Sequence, residues 1–279
     1  MEDYLSIDPR EIGTAKLHGL MQGAIAPRPI AFASTVDRNG KVNLSPFSFF
    51  NMFSTNPPIL VFSPSRRVRN NTTKHTLENV KEVPEVVINL VSYSIVEQAS
   101  LASCEYPVEV NEFRKAGLTE LASKHVKPPR VAESPVSFEC KVNQIIALGT
   151  EGGAGNLVVC EVMMAHFKKG IFDEQGIIDP QKLDVVARMG ADYYCRAHGE
   201  NIFIVPKPNT KLGIGVDQLP QKIRNSSILT GNDLGKLANS EKLPEGVFTD
   251  DTVAHLHAKK LLAENKIEEA WRLLLSPNF

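Results

Sequence analysis

Residues 28–63 read RPIAFASTVDRNGKVNLSPFSFFNMFSTNPPILVFS, two β-like runs folded about Asp37-Arg38-Asn39-Gly40. Asn-Gly between apolar runs is a strong hairpin signal. Ile30–Val36 is predicted as the outgoing strand and Val42–Phe50 as its return. Asn56-Pro57-Pro58 then turns the chain into a short apolar strand over Ile59–Phe62. From Val42 to Ser65 no side chain is charged, and five of the chain's 13 Phe lie there (Phe47, Phe49, Phe50, Phe53, Phe62) among small amides and hydroxyls. Pro46, Pro57, Pro58 and Pro64 exclude a membrane span, because backbone and amide groups would go unpaired in lipid. Two readings fit the block: its rings fill a β core, or rings and amides together embrace a flat, hydrogen-bonding ligand.

The next segment decides how that block is read. Ser63–Thr76 carries Arg66, Arg67, Arg69 and Lys74 beside five hydroxyls, Ser63, Ser65, Thr72, Thr73 and Thr76. A helix capped by Asn71 or Thr72 is expected to run to Glu82, with Leu77 and Val80 turned inward. A first helical turn ordinarily favours acidic residues. A cationic, donor-rich approach suits a docked anion, and a solvated basic loop is the plainer alternative. Adjacent to the aromatic block, it favours a phosphorylated ligand bearing a ring.

The chain's 279 residues are 42% hydrophobic and 23% charged, the composition of a globular protein with ample core. A net charge of −1 gives no general attraction to nucleic acid or anionic membrane. Cys104, Cys140, Cys160 and Cys195 have no paired spacing, which argues against a zinc site or disulfide framework and for a reducing cytoplasm. Met1-Glu2-Asp3-Tyr4 lacks the features of a signal peptide. Glu85–Val91 is a buried strand, Ile95–Ser103 a helix, and Val136–Leu148 and Asn156–Phe167 two long strands about the glycine-rich turn Glu151–Gly155. Five to seven strands with few long helices indicate an antiparallel barrel with helices packed outside it.

These residues resemble the flavin reductase-like family, whose members share the FMN-binding split-barrel fold. The resemblance rests on Arg28–Ala31, Ser34-Thr35, Asn43–Phe50, Pro57-Pro58, Lys74–Thr76 with Asn79, Glu85–Leu90, Lys127–Arg130, Glu133–Pro135, Glu139-Cys140, Arg188–Gly190 and Tyr193-Tyr194, and covers residues 10–197. It implies a mainly β fold with peripheral helices, a Greek-key type split β-barrel over residues 1–199. The remainder, 200–279, would be a partly helical C-terminal extension.

The resemblance also implies a homodimer with FMN in a groove at its interface. Ser34, Thr35, Asn43, Ser45, Pro46, Phe47 and Ser48 would line the ring and ribityl chain. Ser63, Arg67, Lys74 and Thr76 would hold the phosphate. FAD or riboflavin are alternative flavins. Lys74-His75-Thr76 stands where relatives often carry Lys-Asp-Thr, a change that does not repel a phosphate. The glycine-rich turn and Tyr193-Tyr194 would cover the flavin or reach it from the partner subunit. The implied activity is hydride transfer from NAD(P)H to FMN, with a monooxygenase or another acceptor downstream. A flavoprotein with tightly bound FMN and a non-enzymatic FMN-binding module are the rivals. His166, near the end of the return strand, is the candidate catalytic residue, as a polar group that orients nicotinamide or stabilises reduced flavin; a strand-end histidine facing solvent is the plainer reading.

In the tail, Leu219–Leu237 is expected to be an ordered loop region or an arm across a partner subunit. Thr249–Thr252 reads as a helix start. Val253, Leu256 and Ala263 form one stripe, and Ile267, Trp271 and Leu274 a second, with a break at Asn265-Lys266. Trp271 and its neighbouring leucines are expected to pack on the barrel or a partner subunit.

Overall fold

The computed structural model describes residues 4–206 and 212–275. The chain divides into two compact units, the first ending at Phe203 and the second beginning at Ile204.

In the first unit, helix α1 (Thr14–Ala24) precedes the hairpin β1 (Ala31–Val36) and β2 (Val42–Phe47). Asp37 closes the turn: its carboxylate accepts from the Asn39 and Lys41 N–H groups, each at 2.8 Å. The chain continues through β3 (Phe50–Thr55), β4 (Pro58–Phe62), α2 (His75–Glu82) and β5 (Glu85–Leu90). Helices α3 (Val96–Leu101) and α4 (Glu112–Ala116) follow, then the short pair β6 (Glu120–Leu121) and β7 (Arg130–Val131). The long strands β8 (Val136–Ala147) and β9 (Asn156–Phe167), α5 (Pro180–Leu183) and the small hairpin β10 (Val186–Arg188) and β11 (Tyr194–Arg196) complete the unit.

Seven strands form one sheet in the order β2-β1-β5-β8-β9-β4-β3, with every pairing antiparallel. Its two edges, β2 and β3, are joined by Ser48 and Phe49 alone. A sheet whose first and last strands are two residues apart must curl back on itself, which makes it a barrel left open along one seam. The single return strand expected over Val42–Phe50 is therefore two strands. The chain leaves one edge of the sheet at Phe47 and enters the other at Phe50, a step that alternation of side chains cannot reveal.

Period-2 alternation divides the sheet's side chains between two cores. Ala31, Ala33, Phe47, Phe62, Val86, Ile88, Cys140 and Cys160 form one, completed by Leu77 and Val80 of α2. Phe32, Leu44, Val91, Ala99, Phe113 and Val131 form the other, with α3 and α4 over it. Arg28 is buried and ties α1 to the segment after β10. It donates to Gln22 O (2.6 Å), to Ile25 O and to Met189 O (2.8 Å). There Gly190 lies so close to Gly23 that an added Cβ would stand 2.8 Å from the Gly23 Cα, which accounts for the glycine of Arg188-Met-Gly190.

The second unit holds α6 (Gln221–Arg224), α7 (Gly231–Ala238), α8 (Thr252–Ala263) and α9 (Ile267–Leu273). The loop expected over Leu219–Leu237 is thus largely helical. Its polar residues are caps: Thr230 and Asp233 form a capping box at the start of α7. Asp251 caps α8, accepting from Ala254 N–H at 2.9 Å. The stripe expected on α8 is displaced, since Val253 and Leu256 are exposed and His255, Ala258 and Leu262 are buried. A buried histidine hid the stripe from an apolar count. Its ring nitrogens bond Ser226 Oγ (2.7 Å) and Thr249 O (3.0 Å).

Trp271 and Leu274 pack with Leu219, Ile223, Leu237 and Leu262. The tail's apolar side chains thus close a core of their own. Truncation after Phe203 is accordingly expected to leave a soluble barrel. Its cooperative thermal unfolding would show this, and aggregation or a non-cooperative melt would contradict it.

Candidate functional site

The start of α2 brings most of the predicted site residues together. Thr35, Asn43, Ser45 and Phe47 lie on the face of β1 and β2 that α2 covers, as their register requires. Asn43 Nδ2 donates to Thr76 Oγ1 at 2.9 Å, and Asn79 Nδ2 to Thr35 Oγ1 at 3.1 Å. Thr35, Asn43 and Thr76 thus fasten the helix to the sheet. Ser34 and Pro46 occupy the opposite face with Phe32 and Leu44. Ser34 Oγ is buried and makes no hydrogen bond. Ser48 is half-buried at the seam, and its Oγ accepts from Arg28 Nε at 3.4 Å.

The N-cap of α2 is Lys74, in place of the expected Asn71 or Thr72, and no side chain caps the helix. Asn71 is instead held by Arg66, whose Nε donates to its Oδ1 at 2.5 Å. Thr72 Oγ1 accepts from Arg67 at 2.9 Å. The leading N–H groups of α2 therefore have no side-chain cap, and the one acid of its first turn is Glu78.

Lys74 is half-buried, and its ammonium has no hydrogen-bond or ion-pair partner among the described residues. Burial, with Arg67 and Arg69 nearby, lowers its pKa from the ordinary lysine value. Arg67 is pinned three ways: to Thr72 Oγ1, to Thr73 O, and through Nε to Glu105 Oε1 at 2.8 Å. Arg69 is exposed and pairs with the other oxygen of Glu105. Two cations thus share one carboxylate, and Lys74 adds a third positive charge beside them. Ser65 Oγ, on the same loop, is buried without a partner. Surplus positive charge, an unpaired hydroxyl and an uncapped helix start form a donor set suited to a phosphate dianion.

The glycine-rich turn between β8 and β9 braces this loop from behind. Arg66 N–H donates to Ala154 O at 2.8 Å, and Gly153 N–H to Arg66 O at 3.0 Å. A Cβ on Gly155 would stand 2.8 Å from Ser63 Oγ, so a larger residue there would force that hydroxyl to move. Asn156 Nδ2 donates to Pro64 O at 3.0 Å. The turn therefore shapes the cationic loop of its own subunit.

His166 lies apart from this group. It is ten residues along β9 from Asn156, about 33 Å at strand spacing. It faces neither that group nor open solvent: its Nε2 bonds Glu139 Oε1 at 2.6 Å. Glu139, wholly buried, also accepts from the Lys124 and His125 N–H groups at 2.8 and 2.6 Å. The polar signal at His166 belongs to a buried carboxylate cluster. Tyr193 is exposed, and Arg188 stacks over Tyr194. Sequence reasoning missed Glu105, a lone acid 36 residues from Arg69 with no local pattern to mark it.

The family model for the flavin reductase-like domain matches residues 23–183. An uncharacterized protein of Aquifex aeolicus is 39% identical over 184 residues, covering 66% of this chain and 91% of its own. Component B of nitrilotriacetate monooxygenase from Bacillus cereus has a TM-score of 0.67 at 28% identity, over 73% of this chain and all of that one. A split-barrel flavin reductase candidate from Shewanella frigidimarina has a TM-score of 0.60 at 27% identity, over 71% of this chain and 95% of that one. The chain belongs to the flavin reductase-like domain family, and its barrel is the split barrel of that family. Among the described residues no helix is long and apolar enough to cross a membrane, and no group of His, Cys, Asp and Glu could hold a metal ion.

Proposed function

We propose that the protein is an FMN-dependent oxidoreductase that takes hydride from NADH or NADPH. The observation that carries this reading is the unpaired Lys74 at the head of α2, beside Arg67 and Arg69, in a barrel of flavin reductase-like sequence. Lys74, Arg67, Ser63 and the N-terminal N–H groups of α2, with Thr76, hold the phosphate. The ring and ribityl chain lie along Ser45–Ser48, with Thr35 and Asn43 supporting that wall through α2. Ser34 and Pro46 act from the other face of the same strands through backbone position. Bound FMN supplies the two-electron chemistry. The protein fixes the ring and places hydrogen-bond donors toward its pyrimidine end. His166 has no part in this reading and serves the Glu139 cluster.

The working unit in this reading is a homodimer in the cytoplasm, with FMN in the interface groove. The exposed Met52 and Phe53 on edge strand β3 favour a covered edge. The Bacillus cereus neighbour, named as a monooxygenase component, suggests a partner monooxygenase as acceptor. Steady-state assays test the activity. FMN-dependent oxidation of NADH or NADPH is expected, and no flavin-dependent oxidation of either would overturn it.

A further inference from the structure

We propose that Glu105 is an internal competitor for the flavin phosphate, and that it sets how readily FMN leaves. The proposal rests on the phosphate site proposed above. Glu105 lies between α3 and α4, outside the cationic loop, yet its two carboxylate oxygens take Arg67 and Arg69 one apiece. It occupies the guanidinium faces that a phosphate would use, and it adds a negative charge beside the place where a dianion must sit.

Glu105 is not what positions Arg67. Thr72 Oγ1 and the Thr73 carbonyl hold that guanidinium independently, and the loop is braced by Ala154 and Gly153. Arg69 is different, since Glu105 is its only hydrogen-bond partner among the described residues, and it is free to swing once released. Removing the carboxylate therefore frees two donors without dismantling the cradle. In return, a phosphate must displace Glu105 to gain both arginines. The consequence is a flavin held more loosely than three cations would hold it, as suits a flavin that is exchanged after reduction.

The test compares FMN with riboflavin, which shares the ring and ribityl chain but lacks the phosphate. Dissociation constants for both are measured by flavin fluorescence on the full chain and on Glu105→Gln and Lys74→Ala. Glu105→Gln is expected to tighten FMN about tenfold, the factor for roughly 1.4 kcal/mol of relieved like-charge contact, and to leave riboflavin within twofold. Unchanged or weaker FMN binding in Glu105→Gln, with FMN still weakened by Lys74→Ala, would overturn the competitor role alone and make Glu105 a neutral or positioning residue. If Lys74→Ala left the preference for FMN over riboflavin intact, the phosphate site itself would be wrong, and the competitor role with it.

Discussion

Replacing Lys74 by alanine is expected to weaken FMN binding by about 10- to 100-fold while changing riboflavin binding little. The range corresponds to loss of one charge-assisted hydrogen bond, about 1.5–3 kcal/mol. Among the described residues the Lys74 ammonium has no partner to lose, so its removal costs the fold little and the ligand much. The pH dependence follows from its environment. Burial, then Arg67 and Arg69, pull the Lys74 pKa below the ordinary lysine value. The charged form is what a phosphate needs, so selectivity for FMN over riboflavin falls as pH rises through that lowered value. The decline begins at lower pH than an exposed lysine would give. Titration of both flavins at several pH values checks this, and equal losses for FMN and riboflavin in Lys74→Ala would contradict it.

Glu139→Ala should be the most damaging substitution to the barrel, costing about 3–5 kcal/mol, the range for removing one partner from a buried ionic cluster. On this scale that lowers the midpoint of thermal unfolding by about 10 °C. The wholly buried carboxylate gathers two backbone N–H groups and the His166 ring, and all three would lose their acceptor. Burial by itself would raise the Glu139 pKa, but the Lys124 and His125 N–H groups and the His166 ring outweigh it and leave the pKa below the usual value. A carboxylate depressed in the folded state contributes stability above its unfolded pKa and loses it as pH falls through the folded one. The parent protein should therefore lose stability in acid below about pH 4.5. Glu139→Gln should lack that part of the acid transition and be less stable at neutral pH. Denaturant unfolding of the three proteins at neutral and acid pH checks both points. Equal stability of Glu139→Ala and the parent at neutral pH would contradict the cluster's role.

Much of the barrel was legible because its signals are local. The Asn39-Gly40 hairpin, the apolar run of β5 and the glycine turn between β8 and β9 each announce themselves within a few residues. The seam was not legible. Ser48 and Phe49 look like a continuation of the strand begun at Val42, and only the pairing order of the whole sheet shows that the chain changes edges there. At the site, the cations Arg67 and Lys74 were readable as a run. The division of Ser34 and Pro46 from Thr35 and Asn43 follows from strand alternation, but only once the covered face is known. Glu105 and the Glu139–His166 pair were hidden because they join residues 36 and 27 positions apart. His255 shows a related limit, since a polar residue completes a buried stripe when Ser226 and Thr249 satisfy its ring.

In the proposed function, bound FMN accepts hydride from a nicotinamide in this barrel. Anaerobic rapid mixing of the protein and FMN with NADH, and separately with NADPH, tests it by the loss of visible flavin absorption. Rapid bleaching is expected with at least one donor, faster than for free FMN mixed with the same donor. FMN that binds yet stays oxidised with both donors would contradict it, and would leave a flavin-binding barrel supplied with electrons from elsewhere.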